Sequence, residues 1–276
     1  MTYDVPILGK LDYAPCRYGQ SKLEFRGPAR APAERFVAAL GGTETFGKFV
    51  ALPFPALLEQ EIGADVVNLG SVNAGLDSFI EDSAVLALAD EAAVRVLQVL
   101  GAQNMSNRFY SVHPRRNDRF VRASPLLAAI YPEVDFTEFH FTGHLLTVLR
   151  RHCPDRFGIV LAELKTAWTA RMRRLGERMA APTVLLWLGE RAPEDAGQGR
   201  ELCGAPLLVD DGMLDSLRPH FADIVVVRPS AAARGEGTCG MVYPRMSEAA
   251  AEALPGPAIH AETALALAPA VRRLMG

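Results

Sequence analysis

The stretch LGGTETFG, from Leu40 to Gly47, directly follows the apolar run FVAAL at Phe36–Leu40. A short apolar run that ends in a glycine pair, and then leads into a helical segment with Pro55 near its start, is typical of the first strand and helix of an open α/β sheet. In such sheets ligands bind at the carboxyl ends of the strands. The stretch therefore predicts the fold class, α/β, and places a candidate site at the end of the first strand.

The alternation of apolar strands and helices continues along the chain. Further strands are predicted at 65–69, 94–100, 183–188 and 223–227, and helices at 55–62, 83–91, 156–178, 212–221 and 262–275. The helix at 156–178 has Leu164, Trp168, Met172 and Leu175 at three- and four-residue steps, which is the stripe of a core-facing helix. This pattern favours a flavodoxin-like three-layer sandwich, with a five-stranded parallel sheet covered on both faces.

Two segments stand outside this alternation. Residues 1–33 have little periodicity, and we expect them to form an N-terminal arm over the domain. Residues 102–154 form a long insertion after the third strand, which we interpret as a lid. The sequence therefore predicts an arm followed by one domain over 34–276.

The composition narrows the classes of partner. The 276 residues are 49% apolar and 22% charged, with a net charge of -3, so neither nucleic acid nor an anionic membrane is expected as a partner. No signal peptide or membrane span is visible, and four scattered cysteines without a C-x-x-C pair are expected to stay reduced. We expect a cytoplasmic protein, whose oligomeric state the sequence leaves open.

Polar residues follow each of the first three predicted strands. Thr43 follows the first, Gly70 the second and Asn104 the third. A hydroxyl beside a backbone N–H and a side-chain amide has the geometry of an oxyanion site. His260 stands shortly before the last predicted helix, where an imidazole could act as general base.

The same residues have simpler structural explanations. Gly41–Gly47 can be a tight turn in which a threonine caps a helix. Asn104 and Asn107 can cap local turns, and His260 can cap the last helix. His140 and His144 are four residues apart, but no Glu follows the first of them, and we predict no metal site.

The ordered set of motifs resembles the SGNH (GDSL-like) hydrolase superfamily, which has a G-D-S-x-[ST] block, a Gly, a G-x-N-D block and a final D-x-x-H. Here Gly41–Thr45, Gly70, Gly101–Asn104 and Pro257–His260 occupy these places in order. The resemblance implies that Thr43 is the nucleophile and His260 its base, with the Thr43 and Gly70 N–H groups and the Asn104 amide holding the oxyanion. Gly42 stands in place of the family Asp, and Pro257 in place of the Asp that orients the histidine.

The resemblance implies an esterase or acyl-group transferase with a Thr nucleophile and no metal or organic cofactor. Its substrate would be a small or carbohydrate-linked molecule, including an anionic one. The alternative is a catalytically inactive SGNH-like module that binds a saccharide or an anionic group. The identity of the substrate, and the choice between hydrolysis and transfer, stay open.

The run Ser106–Phe120 is rich in arginine, whose guanidinium matches phosphate, sulfate or carboxylate. We expect it to contact an anionic group, although a salt-bridged loop is the plainer interpretation. The predicted substrate-binding residues are Gly42, Glu44, Asn73, Asn107, Arg108, His113, Arg115 and Arg116. With the Gly-Gly-Thr-Glu-Thr block, this run also resembles an uncharacterised alphaproteobacterial domain family of about this length.

Overall fold

The computed structural model describes residues 11–32, 34–179, 181–196, 202 and 204–276. Its strands are β1 Val37–Gly41, β2 Val66–Gly70, β3 Val94–Gln98, β4 Tyr110–His113, β5 Arg116–Ala123, β6 Thr183–Leu188 and β7 Asp223–Val227. Five of them form a parallel sheet in the order β2-β1-β3-β6-β7, and β4 and β5 form an antiparallel hairpin. The predicted α/β class with a five-stranded parallel sheet is confirmed.

The helices flank this sheet. Within the described residues they are α1 Thr43–Phe46, α2 Phe54–Ile62, α3 Leu76–Ile80, α4 Ser83–Glu91, α5 Pro125–Ile130, α6 Thr142–His152, α7 Pro154–Arg178, α8 Asp211–Leu217, α9 Ala231–Gly235, α10 Glu248–Glu252 and α11 Pro257–Met275. The last helix starts at Pro257 rather than at 262, because a proline lacks an N–H that the first turn would leave unpaired anyway. His260 therefore lies inside the helix, not ahead of it.

Alternate residues of β1 pack on opposite faces of the sheet. Val37 and Ala39 join the apolar cluster formed with α2 and α11, whereas Ala38 and Leu40 join the cluster that contains α7. Side chains of a strand point alternately to its two sides, so each face requires a helical cover. The result is the expected three-layer sandwich.

The segment after β3 folds back over the sheet edge as the β4–β5 hairpin. Asn117 of β5 is completely buried and ties the hairpin to the loop after β2. Its Oδ1 accepts hydrogen bonds from the Gly75 N–H at 2.9 Å and from the Ser78 Oγ at 2.8 Å. The hairpin is thereby held beside the carboxyl edge of the sheet.

The described part of the arm, residues 11–32, packs on the loop after α1. The Arg26 guanidinium donates to the carbonyl oxygens of Gly47 at 2.8 Å and Val50 at 2.9 Å. The Tyr13 hydroxyl accepts from the Phe49 N–H at 2.9 Å. Residues 1–10 and 33 of the predicted arm lie outside the described residues. In the part of the chain that is described, no helix combines the length and apolar character needed to cross a bilayer.

Candidate functional site

A cavity of about 360 Å³ opens at the carboxyl ends of β1 and β3. Its polar lining comes from Thr43, Glu44, Asn73, Gln98, Gln103, Asn104 and Asp118. We call it the sheet-edge cavity. It brings together Thr43, Asn73 and Asn104, which the sequence placed on three separate strand ends, and it is also lined by Gly42 and Glu44.

Thr43 is the first residue of α1, and its hydroxyl is held by the loop after β2. Its Oγ1 accepts a hydrogen bond from the Asn73 backbone N–H at 3.0 Å and lies 3.5 Å from Asn73 Oδ1. Asn73 has a left-handed backbone, with φ of 60°, which an asparagine tolerates better than most residues. The turn therefore presents one half-buried hydroxyl to the cavity.

Gln98, at the end of β3, organises the glycine-rich turn. Its Oε1 accepts from the Gly42 N–H at 3.0 Å and from the Thr45 hydroxyl at 2.6 Å, while its Nε2 donates to Glu44 Oε2 at 3.0 Å. A Cβ on Gly41 would lie 2.0 Å from Thr45 Oγ1, so this network requires a glycine there. Sequence reasoning missed Gln98, although a polar residue near the carboxyl end of a predicted parallel strand was a usable signal.

Gly70 does not offer its N–H to a ligand. That N–H donates to Asn68 Oδ1 at 2.8 Å. A Cβ on Gly70 would lie 2.2 Å from the Phe46 backbone nitrogen, so the residue allows α1 to pack closely on β2. The predicted oxyanion role of Gly70 is therefore replaced by a structural one.

His260 lies between α2 and α11 and is only 1% exposed. Its ring stacks on Phe54, and its Nδ1 accepts the Phe54 backbone N–H at 3.0 Å. Burial, reinforced by the charge of Arg26, lowers the pKa of His260 to about 3. Because Nδ1 is an acceptor, the neutral ring carries its proton on Nε2 and has no free lone pair for a base.

Thr43 and His260 are not hydrogen-bonded to each other; the partner of Thr43 is Asn73 and that of His260 is Phe54. Phe54 is the first residue of α2, so its N–H is one of the donors that a helix leaves unpaired. His260 satisfies that donor from a neighbouring helix. The structure does not bring the predicted nucleophile and base together.

Two asparagines of the insertion serve different purposes. Asn104 lines the sheet-edge cavity; its Oδ1 accepts from the Thr142 hydroxyl at 2.7 Å, and its Nδ2 has no hydrogen-bond partner in the described chain. Asn107 Oδ1 accepts from the Phe109 N–H at 2.8 Å and caps a local turn. Of these two asparagines, only Asn104 therefore has a side-chain N–H donor left for a ligand.

Two buried oxygen atoms belong to residues of the sheet-edge cavity and have no hydrogen-bond partner within the described residues. They are Gln103 Oε1 and Asp118 Oδ1. Burial raises the pKa of the Asp118 carboxyl, and Arg116, whose guanidinium is 3.9 Å away, opposes the shift. An unpaired buried oxygen costs about 1–3 kcal/mol, so these two atoms lower the stability of the chain in this state.

The arginine-rich segment divides between a second cavity and the surface. His113, Arg115 and Arg116 line a cavity of about 520 Å³, which we call the cationic cavity. Arg108 instead pairs with Glu163 at 2.7 Å and is not part of it. The cationic cavity is also lined by Arg17, Lys22, Lys48 and Asn73, of which only Asn73 had been expected near a ligand.

No group of three or more His, Cys, Asp or Glu side chains that could hold a metal ion occurs among the described residues. The polar groups of the two cavities are instead amides, hydroxyls, carboxylates and cations. These groups suit hydrogen bonding and charge pairing with a small organic molecule.

A family model described as "Domain of unknown function (DUF6473)" matches residues 1–275. No curated protein matches this sequence. Among solved structures, the lipase Lip_vut3 from a goat rumen metagenome aligns over 87% of this chain and 99% of its own, with 14% identity and a TM-score of 0.37. A likeness this weak carries no argument about activity, and the resemblance to SGNH hydrolases stays a prediction.

Proposed function

We propose that this chain, which belongs to the DUF6473 family, is a binding module that recognises a small saccharide-like ligand in the sheet-edge cavity. The observation that carries the proposal is that the half-buried Thr43 hydroxyl, the Asn104 amide and the Glu44 carboxyl all line one cavity at the sheet edge. Sugar hydroxyls would accept from the unpaired Asn104 Nδ2 and pair with the Thr43 hydroxyl. The polar lining thus complements a polyol better than an apolar acyl chain.

Binding without turnover has better support than the predicted acyl transfer through His260. The imidazole is buried against Phe54 with its Nδ1 lone pair engaged, and the Gly70 N–H is engaged by Asn68. Removing the base from a hydroxyl–imidazole pair lowers the rate by several orders of magnitude. Thr43 then acts as a ligand-binding hydroxyl.

A second candidate keeps Thr43 as nucleophile of an esterase or acyltransferase. One observation favours it: Asp118 lines the same cavity, and burial raises the pKa of its carboxyl. A carboxylate of raised pKa accepts a proton more readily at neutral pH, which suits a general base. In this mechanism Asp118 removes the Thr43 proton as the hydroxyl attacks the acyl carbon, and it returns that proton to the alkoxide that leaves when the ester bond breaks. Water or an acceptor alcohol then takes the acyl group from Thr43, and His260 takes no part.

Titration calorimetry with glucose and N-acetylglucosamine at millimolar concentration tests the binding proposal. Replacing Thr43 with valine removes the hydroxyl and keeps the shape, and we expect affinity to fall about fivefold to tenfold, which is the loss of one hydrogen bond. Thr147→Val is the matched control, since Thr147 is exposed on α6 and bonds only within its helix. The proposal would be contradicted if the intact chain bound neither sugar. It would also be contradicted if Thr43→Val and Thr147→Val bound the sugars with equal affinity.

Hydrolysis of p-nitrophenyl acetate separates the two candidates. The binding module has no activity that depends on Thr43. Activity that disappears in Thr43→Ala and in Asp118→Asn, but persists in His260→Asn, would establish the second candidate instead. Activity that requires both Thr43 and His260 would restore the arrangement implied by the SGNH resemblance.

A further inference from the structure

We infer that the cationic cavity binds a phosphate or sulfate ester group of the same ligand, so that the ligand is an anionic sugar. This inference rests on the proposed function for its sugar part only. Among the described residues, the cavity's cationic side chains are Arg17, Lys22, Lys48, Arg115 and Arg116, and its one carboxylate is that of Glu24. Five cations against one carboxylate contrast with the net charge of -3 for the whole chain. Such a local concentration of positive charge attracts anions.

The cations converge from separate parts of the chain. Arg17 and Lys22 come from the arm, Lys48 follows α1, and Arg115 and Arg116 lie at the turn of the β4–β5 hairpin. Glu24 neutralises only Arg17, at 2.9 Å. Like charges from three segments that are distant in sequence thus meet at one concavity, and an anion there would be attracted by all of them.

Besides its charged side chains, the hairpin turn supplies a neutral hydrogen-bond donor, the Nε2–H group of His113. The Arg115 and Arg116 backbone N–H groups both donate to His113 Nδ1 at 3.3 Å, which leaves the proton of the neutral ring on Nε2. The Arg115 guanidinium makes no hydrogen bond or ion pair in the described chain, and Arg116 approaches Asp118 only at 3.9 Å. Arginine donors in a fixed fork match the oxygens of a tetrahedral dianion.

Asn73 joins the cationic cavity to the sheet-edge cavity, because it lines both. Its N–H donates to Thr43 Oγ1 at 3.0 Å, and its carbonyl accepts from the Asn117 N–H at 3.1 Å. The backbone at this boundary is therefore fixed from two sides. A ligand that extends past Asn73 would place its anionic group among the cations and its hydroxyls beside Thr43.

Titration of inorganic phosphate and of sulfate by calorimetry tests the anion site directly. We expect Arg115→Gln and Lys22→Gln, which alter two different segments, each to weaken anion binding about tenfold, the usual effect of a charge-assisted hydrogen bond. Arg122→Gln is the matched control, because Arg122 is an exposed arginine of the same hairpin that does not line the cavity. We expect no more than about a twofold change in that control at physiological salt, where distant exposed charges are screened.

Equal weakening in Arg115→Gln and Arg122→Gln would show that only net charge matters, and would overturn the inference. The absence of measurable phosphate or sulfate binding by the intact chain would overturn it as well. Thermal unfolding of each variant, followed by circular dichroism, checks that the fold is retained.

Comparison of phosphate, glucose and glucose 6-phosphate tests whether the two cavities hold one ligand. We expect the sugar phosphate to bind more tightly than either part, and Thr43→Val to weaken glucose 6-phosphate but not phosphate. Phosphate binding that depends on Arg115, with no sugar affected by Thr43→Val, would retain the anion site and reject both the single ligand and the proposed function. Sugar binding that depends on Thr43, without any gain from the phosphate group, would reject only the present inference.

Discussion

The loop after β1 and the interface between α2 and α11 each place a polar side chain near the start of a helix, in opposite surroundings. Thr43 is half-buried and lines a cavity, and its hydroxyl accepts a hydrogen bond from the loop after β2. His260 is 1% exposed, and its Nδ1 accepts a hydrogen bond from the first N–H of α2. Access and the identity of the hydrogen-bond partner, rather than residue type, thus separate a polar group that faces a cavity from one that is enclosed in the packing.

Replacing His260 with alanine should give the largest effect. The change leaves the Phe54 N–H buried and unpaired and removes the stacked ring, so we expect the free energy of unfolding to fall by about 3 kcal/mol. Urea unfolding measures this. His260→Asn should recover part of the loss, since its Oδ1 can accept near the position of Nδ1.

His152→Ala is the control for that change, because His152 is exposed at the end of α6. We expect its effect to stay within about 0.5 kcal/mol. If His260→Ala retained full stability and lost an ester-hydrolysing activity, the contrast between the two regions would be lost.

The pH dependence of stability should show a smaller effect of the same residue. The pKa of His260 is about 3 in the folded chain, below the ordinary value of 6.5, because burial disfavours the charged ring. The unfolded state therefore binds the proton more readily. The contribution of His260 to the free energy of unfolding is complete above about pH 6.5. It decreases as the pH falls toward the pKa of the folded state.

We would measure urea unfolding of the intact chain and of His260→Asn at about pH 7 and about pH 4.5. The difference between the two proteins isolates the pH-dependent contribution of His260, since the other groups titrate in both. We expect the intact chain to lose more stability than the variant over this interval. A parallel loss in both proteins would mean that His260 titrates normally and is more accessible than its contacts with Phe54 indicate.

Thr43→Val should give the smallest change in stability. The substitution removes one hydrogen bond at a half-buried site, which contributes about 1 kcal/mol or less. Its effect on sugar binding should be larger in proportion than its effect on unfolding. A loss of stability as large as that of His260→Ala would assign Thr43 to the turn rather than to the ligand.

Several groups of the site have contacts that the local sequence does not indicate. Gln98 fixes the glycine-rich turn from β3, and Asn117 holds the hairpin to the loop after β2. Arg17 and Lys22 reach the cationic cavity from an arm that was expected only to cover the domain. The groups that Gln98 and Asn117 contact are far away in sequence, and Arg17 and Lys22 meet Arg115 only through the fold, so neither spacing nor periodicity could indicate these roles.

The architecture could be predicted from local patterns in the amino-acid sequence. Apolar runs at 94–100 and 183–188, and the stripe from Leu164 to Leu175 on α7, predicted elements that the structure contains. These signals are local, because strand and helix periods repeat every two or 3.6 residues and the apolar face must be buried. The glycine-rich turn at the end of β1 could be predicted for the same reason, because its sequence signal is local.

The contacts of the polar groups depend instead on how distant elements pack together. The Phe54 N–H that engages His260 is 206 residues away in sequence, and the Gly70 N–H is occupied by a side chain that could equally have pointed elsewhere. A hydrogen bond depends on the distance and angle between two atoms, which follow from the packing of whole elements. The assignment of Thr43 to a cavity and of His260 to a helix interface therefore came from packing and not from sequence order.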